Sequence, residues 1–140
     1  MQALRDDERT LTKNDHQRLQ GFIRPAGARS ASPGKSVIDA ILDEADLVAP
    51  EEVDPDVVTM HSRVLVADLA TGKNVELTLC YPHEAEPGRG HISVLSPVGA
   101  SLLGRRVGSI ATWLSPDGVT NEAVVAALLY QPETGDRIPS

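Results

Sequence analysis

Residues 91 to 109 read HISVLSPVGASLLGRRVGS, and this stretch decides the fold. It divides into a strand (His91 to Leu95), a cap, a short helix and a stop. The Ser96 hydroxyl stands where it can accept from an orphaned helical N–H, and Pro97 occupies the first helical position, where a missing N–H costs nothing. Gly104 is the left-handed residue that commonly ends a helix, and Arg105 and Arg106 place positive charge beside the negative end of the dipole. Only about two turns remain. So short a helix is unstable alone, so Val98, Leu102 and Leu103 must lie on a larger apolar surface. Gly99 inside it costs roughly 1 kcal/mol relative to Ala, a loss tolerable where the helix backbone approaches a sheet closely.

The 140 residues suit one domain, or a small domain with an appended element. The single Cys80 cannot form an intrachain disulfide, and no secretory apolar region follows the charged start MQALRDDER, so a cytoplasmic protein is expected. No apolar run has the length of a membrane span; the longest, Ala123 to Tyr130, reads as a buried strand. The net charge of −7 argues against free DNA or RNA as the main ligand and for a protein partner. One Phe, two Tyr and one Trp cannot build a base-stacking platform or an aromatic proline pocket.

Met1 to Leu11 is charged and without period, and is expected to fray. Thr12 and Asp15 form a weak capping-box variant before an amphipathic helix carrying Leu19, Phe22 and Ile23, which ends near Arg24 because Pro25 follows. A small-residue turn leads to Ser36, a second cap candidate. From there Val37, Ile38, Ile41, Leu42, Ala45 and Val48 keep helical spacing as far as Pro50. Two such helices would pack as a free-standing antiparallel hairpin or, alternatively, on the sheet as ordinary core helices, and the acidic EEVDPDVV after them reads as a linker. Beyond it the period becomes two. Strands are expected at Val57 to Met60, Arg63 to Leu69, Val75 to Tyr81, Ile110 to Leu114 and Val119 to Tyr130, with Val75, Leu77, Leu79 and Tyr81 on a buried face and Glu76, Thr78 and Cys80 on a wet one. Pro82 to Gly90 reads as a mobile surface loop. The sum is an α+β chain: a helical hairpin (a short coiled coil) over residues 1 to 50, and an antiparallel sheet wrapped around one short helix over 51 to 140.

Chemical candidates are few. His16, His61, His83 and His91 show no metal spacing, and Cys80 is the single cysteine, so neither a metal site nor a nucleophile is expected. Ser96 lacks a nucleophile-elbow context, and no phosphate-loop or dinucleotide fingerprint occurs. No cofactor is implied. The charge pattern says more. Between Asp15 and Asp39 there is no acid, while Arg18, Arg24, Arg29 and Lys35 fall there, so the hairpin tip (Arg24, Arg29, Lys35) is basic. From Ser36 to Asp56 stand Asp39, Asp43, Glu44, Asp46, Glu51, Glu52, Asp54 and Asp56 without one base.

SPVGASLLGRRVGS, preceded by DVVTMHSRVLVADLATGK and followed by a strand ending LLYQPE, resembles the C-terminal domain of the bacterial Gre-type transcript-cleavage factors. With APEEVDPDVVTMHSRV it is still more similar to the Rnk family, described as regulators of nucleoside diphosphate kinase. The match covers Ala49 to Glu133, and the helical hairpin only by layout. Ser109 departs from it, since the Gre pattern usually has Asp there; this bears on a turn rather than the fold.

The resemblance implies an FKBP-like domain that docks on RNA polymerase at the rim of its secondary channel, with a coiled coil pointing inward. In Gre factors acidic residues at the coiled-coil tip help hold a second magnesium ion. A hard divalent cation needs carboxylate oxygens, and this tip has none, so a non-enzyme that does not stimulate transcript cleavage is expected. What remains is occupancy: a transcription regulator that competes with longer channel-binding factors. Pro97, Val98, Arg105 and Arg106 are the expected docking face, because exposed Arg beside apolar residues suits interfaces; helix-end charge alone is the other reading of the two arginines. Two further functions stay open, a module acting on nucleoside diphosphate kinase and an FKBP-like prolyl isomerase, the latter disfavoured by the scarcity of aromatic residues.

Overall fold

The computed structural model describes residues 9–23, 33–115 and 117–132, with the side chains of 22, 23 and 33–37 outside that description. In chain order the elements are β1 (Thr10–Thr12), α1 (Lys13–Ile23), α2 (Pro33–Glu44), β2 (Asp46–Val48), β3 (Arg63–Asp68), β4 (Asn74–Cys80), β5 (His91–Ser93), α3 (Pro97–Leu102), β6 (Ile110–Leu114) and β7 (Thr120–Tyr130). Five strands form one sheet in the order β5-β4-β3-β7-β6. It is mixed rather than purely antiparallel, because β5 joins β4 in parallel through Thr78↔His91, Leu79↔Ile92 and Cys80↔Ser93.

The short helix α3 forms as its sequence dictates. Ser96 caps it, its Oγ accepting from the Gly99 amide at 3.1 Å. Gly104 follows with φ +78°. Gly99 is forced by contact: a Cβ there would lie 2.0 Å from the Ser93 carbonyl oxygen, so the helix rests directly on the backbone leaving β5. Gly99 to Leu102 are buried.

The sheet curls because β7 carries two register shifts against β3, between Arg63 and Val64 and between Leu65 and Val66. Each bulge adds a residue to one strand and increases local twist. As a result the buried positions of β7 and its end fall at Ala123, Val125, Leu128 and Gln131, in steps of two, three and three. Simple alternation along this apolar run therefore fails, and Leu129 and Tyr130 are exposed.

Residues 9–11, expected to fray, are built into the structure. The Thr10 amide donates to the Gly104 carbonyl at 3.1 Å, Leu11 is fully buried, and β1 pairs in parallel with β2 (Thr10↔Asp46, Leu11↔Leu47, Thr12↔Val48). This second sheet corrects the reading of Ala45 to Val48 as helix. The Ala45 amide still bonds the Ile41 carbonyl, but the Asp46 amide leaves the helical ladder for the Arg9 carbonyl at 3.0 Å. α2 begins at Pro33, ahead of the cap expected at Ser36.

The capping-box reading at Thr12 is half realised. Thr12 Oγ1 accepts from the Asp15 amide at 3.1 Å, whereas the Asp15 carboxylate turns inward and accepts from the buried Met60 amide at 3.1 Å. His16 Nε2 lies 3.0 Å from the Leu42 carbonyl oxygen, which sets the start of α1 against the end of α2. Leu11, Leu19, Ile38, Ile41 and Leu42 share one hydrophobic cluster with Val64, Leu79, Leu102 and Val125.

Val57 to Met60 is buried but is not a strand. Only Val57 bridges, to Arg106. Val58 exchanges backbone bonds with Arg105 and Gly104, and the next two amides go to Ser62 Oγ and Asp15, so no ladder is available. The acidic linker before it is pinned at its end: Gln131 Nε2 donates to the carbonyls of Asp54 (2.8 Å) and Val57 (2.7 Å). β4 keeps the expected faces at Leu77, Leu79 and Tyr81, which lie in or against the core, and at Glu76 and Thr78, and departs from them at two positions. Val75 is exposed beyond the end of the core, and Cys80 is buried with its thiol donating to the Ile92 carbonyl. The loop Pro82 to Gly90 is built from two single 3-10 turns, Pro82–Glu84 and Pro87–Arg89.

Candidate functional site

α3 and the edge strand β6 enclose an open groove of about 610 Å³. Pro97, Leu95 and Ala100 form one wall, Trp113 and Leu114 the other, and the Arg9 side chain borders it. Leu114 is 60% exposed, the largest value among the exposed large hydrophobic residues. Arg9 is committed to structure: its Nη1 donates to the carbonyls of Ala100 (2.6 Å) and Leu103 (2.8 Å), satisfying acceptors that the last turn of α3 leaves open. The groove thus offers a partner an apolar floor beside an exposed Pro at a helix start.

The four residues expected to dock do not form one patch. Pro97 is exposed at the groove and Val98 is half-buried. Arg105 is buried and donates its Nε–H to the Ser101 carbonyl at 3.2 Å, so it serves the helix end and presents no charge to a partner. Arg106 grips the acidic linker, with Nη1 at 2.9 Å from Asp54 Oδ2 and 3.0 Å from Asp56 Oδ1. The hydrogen bond to Asp54, aided by the Asp56 charge, holds its guanidinium above its usual range. Of the tip residues, Arg24 and Arg29 lie outside the described residues, and Lys35 lies on α2 with its side chain outside them.

Sequence reasoning did not reach Arg9, Trp113 or Leu114. The signal available was the pair Trp-Leu ending a strand just before the SPDG turn, an apolar pair where a strand leaves the core.

On the outer side of the sheet, His61 sits at φ +69°, a left-handed conformation costing a non-glycine residue about 1–2 kcal/mol. Its amide donates to the Leu79 carbonyl at 2.7 Å, and its Nε2 lies 2.9 Å from Glu84 Oε1. That hydrogen bond, foremost, pulls the Glu84 carboxyl below the usual range. Among the described residues no group of three His, Cys, Asp or Glu side chains is placed to hold a metal. No helix there is long and apolar enough to cross a membrane.

Cys80 is 3% exposed, and burial first, then the Glu84 charge, pushes its thiol pKa up. Since the thiolate is the reactive form, Cys80 in the folded protein is expected to react with iodoacetamide at neutral pH at least ten-fold more slowly than in urea. A mass-spectrometric time course measures this.

The family model for the transcription elongation factor GreA/GreB C-terminal domain matches residues 46–129. The regulator of nucleoside diphosphate kinase of Escherichia coli is 42% identical over 106 residues, 76% of this chain and 78% of that protein. Transcription elongation factor GreA of Alkaliphilus oremlandii is 36% identical over 88 residues, 63% of this chain and 55% of that protein. Among solved structures, the prokaryotic transcription elongation factor GreA/GreB from Nitrosomonas europaea superposes with a TM-score of 0.71 at 31% identity, covering 88% of this chain and 98% of that one. The matched span runs from β2 to Leu129 in β7 and contains the acidic linker, nearly all of the curled sheet, α3 and both walls of the groove, while Arg9 lies outside it. The chain therefore belongs to the GreA/GreB family of transcription elongation factors, and it is related within it to the regulators of nucleoside diphosphate kinase.

Proposed function

We propose that the protein is a cytoplasmic transcription regulator that docks on RNA polymerase at the rim of its secondary channel and competes there with Gre-type factors without stimulating transcript cleavage. Residues 51 to 140 act as the FKBP-like docking module and residues 1 to 50 as a short antiparallel finger. The observation that carries the docking half is the exposed apolar groove between α3 and β6, in a chain of this family. The lack of cleavage rests on sequence: no carboxylate lies between Asp15 and Asp39, so the finger's end has no oxygen ligands for a hard cation. With 11 and 12 residues, α1 and α2 extend only about 16–18 Å.

The groove is tested by Leu114→Glu and Pro97→Glu. Both side chains are exposed, so stability should stay within about 0.5 kcal/mol. Affinity for core polymerase is expected to fall at least ten-fold. Arg106→Gln is expected to change affinity less than three-fold, because its guanidinium is already engaged by Asp54 and Asp56. Unaltered binding by both groove variants would remove the groove from the account.

A second reading, regulation of nucleoside diphosphate kinase through binding, is favoured by the 42% identity to the protein of that name. Pull-down against purified polymerase and purified kinase separates the two. Prolyl isomerisation is the weakest reading, since Trp113 alone supplies an aromatic side chain to the groove.

A further inference from the structure

The register of the sheet puts four polar side chains in one transverse row. Tyr130 of β7 is the partner of Arg63 in β3, Arg63 of Thr78 in β4, and Thr78 of His91 in β5. Paired residues project to the same side of a sheet and neighbouring strands are about 4.8 Å apart, so the row crosses four strands on the outer face. Val64 and Leu79, their neighbours in sequence, face the core. His61, Glu76 and Arg89 close the ends of the row into a hollow of about 470 Å³.

The arginines set this hollow apart. Elsewhere among the described residues, Arg9 and Arg105 are committed to carbonyls of α3, Arg106 to two aspartates and Arg18 to Tyr81. Arg63 has only a loose pair with Glu76 at 3.7 Å, both side chains more than half exposed. Arg89 makes no side-chain hydrogen bond or ion pair among the described residues. A protein of net charge −7 thus gathers two guanidinium groups, two imidazoles, a hydroxyl and a phenol in one concavity, with the Glu76 carboxylate, loosely paired to Arg63, as its one acid among the described residues. His61 reaches it by a left-handed backbone, held by Leu79 and Glu84. Strain maintained by its surroundings is commonest at functional sites.

We infer that this hollow binds a small phosphoanion bearing two linked phosphates, with Arg63 and Arg89 as the charged clamps and Thr78 and His91 as hydrogen-bonding groups between them. Guanidinium groups match phosphate oxygens in geometry and charge. The overall negative charge repels long polyanions, so a small ligand is selected over a polynucleotide. The inference does not rest on polymerase docking, which is proposed for a separate groove, between α3 and β6.

Titration of the full-length protein with inorganic pyrophosphate, followed by amide chemical shifts and calorimetry, tests it. Expected is saturable binding with the largest shifts at Thr78, Gly90 and His91. The Arg63→Gln/Arg89→Gln double variant should bind at least ten-fold more weakly. Lys73→Gln, which removes one charge from the exposed turn before β4, should match the unmodified protein within two-fold. An ADP affinity equal to that of pyrophosphate, with AMP weaker, identifies a terminal diphosphate on a small molecule; binding of pyrophosphate alone identifies the inorganic ion. No saturable binding at millimolar pyrophosphate, sulfate bound equally well, shifts confined to other regions, or a double variant that binds unchanged would each overturn the inference. Because the shift map is recorded on the unmodified protein, the result stands even if the double variant unfolds.

Discussion

Gly99→Ala is expected to lower the free energy of unfolding by about 3 kcal/mol, the upper part of the range for overpacked sites, and the melting temperature by roughly 10 °C. The added methyl would meet the Ser93 carbonyl oxygen at 2.0 Å and its carbon at 2.8 Å. Both are backbone atoms, and Ser93 is held in β5, so the clash cannot be relieved by a rotamer. α3 would have to lift away from the sheet, loosening Ala100, Leu102 and Leu103 in the core. Gly21→Ala provides the opposite sign on the same chemistry. Gly21 lies within α1, is exposed, and has no atom within 4 Å of an added Cβ. It should stabilise by about 0.5–1 kcal/mol, the ordinary helix preference of Ala over Gly. Urea denaturation of the two variants measures both.

The second large effect is at Asp15, where Asp15→Ala is expected to cost about 2–3 kcal/mol, the range for stranding a buried donor that had a charged acceptor. Its carboxylate is 7% exposed and accepts from the amide of Met60, itself 2% exposed, and so joins the first turn of α1 to the segment leading into β3. Asp15→Asn keeps an acceptor oxygen and should lose less than half as much. The same pair of variants carries a titration signature. The Tyr81 phenol has a raised pKa, first from burial and then from the Asp15 charge. Removing that charge should move the phenol's titration down, as read by absorbance at alkaline pH. Since the folded protein holds this proton more tightly than the unfolded chain, Tyr81 contributes stability that is complete below about pH 10, the unfolded value, and is lost as pH rises toward the folded value.

What was legible in the sequence was what is decided within one turn or one hairpin. Ser96, Pro97, Gly99 and Gly104 each impose a local geometry, and α3 follows from them. β3 and β4 are marked by alternation around a short turn, and β6 and β7 by the SPDG turn between two apolar runs. What was not legible depended on partners distant in sequence. Asp46 to Val48 keeps helical spacing, yet it is a strand because Arg9 and Thr10 to Thr12 compete for its backbone. Arg105 and Arg106 are adjacent and alike in the sequence, but one is buried against Ser101 and the other meets acids some fifty residues away. The groove proposed for docking depends on which strand is at the edge, and β6 is an edge because β7 crosses back to pair with β3. That long-range pairing is also why Trp113 and Leu114 were not singled out.

The same distinction governs the functional reading. The absence of acids between Asp15 and Asp39 can be read from sequence alone, and the proposal that the protein does not stimulate cleavage rests on it. The identity of the docking face needs the fold. If it is right, binding depends on Pro97 and Leu114 more than on the arginines at the end of α3, and affinity should vary little with salt, because the contact is apolar rather than ionic.

The most direct measurement of the central claim is cleavage of nascent RNA in a backtracked polymerase complex driven by a Gre factor, titrated with the full-length protein. The account predicts that cleavage falls to the factor-independent rate at saturation, with a midpoint that rises in proportion to the Gre factor concentration. Undiminished cleavage at saturating protein, or RNA cutting stimulated by the protein itself, would contradict it.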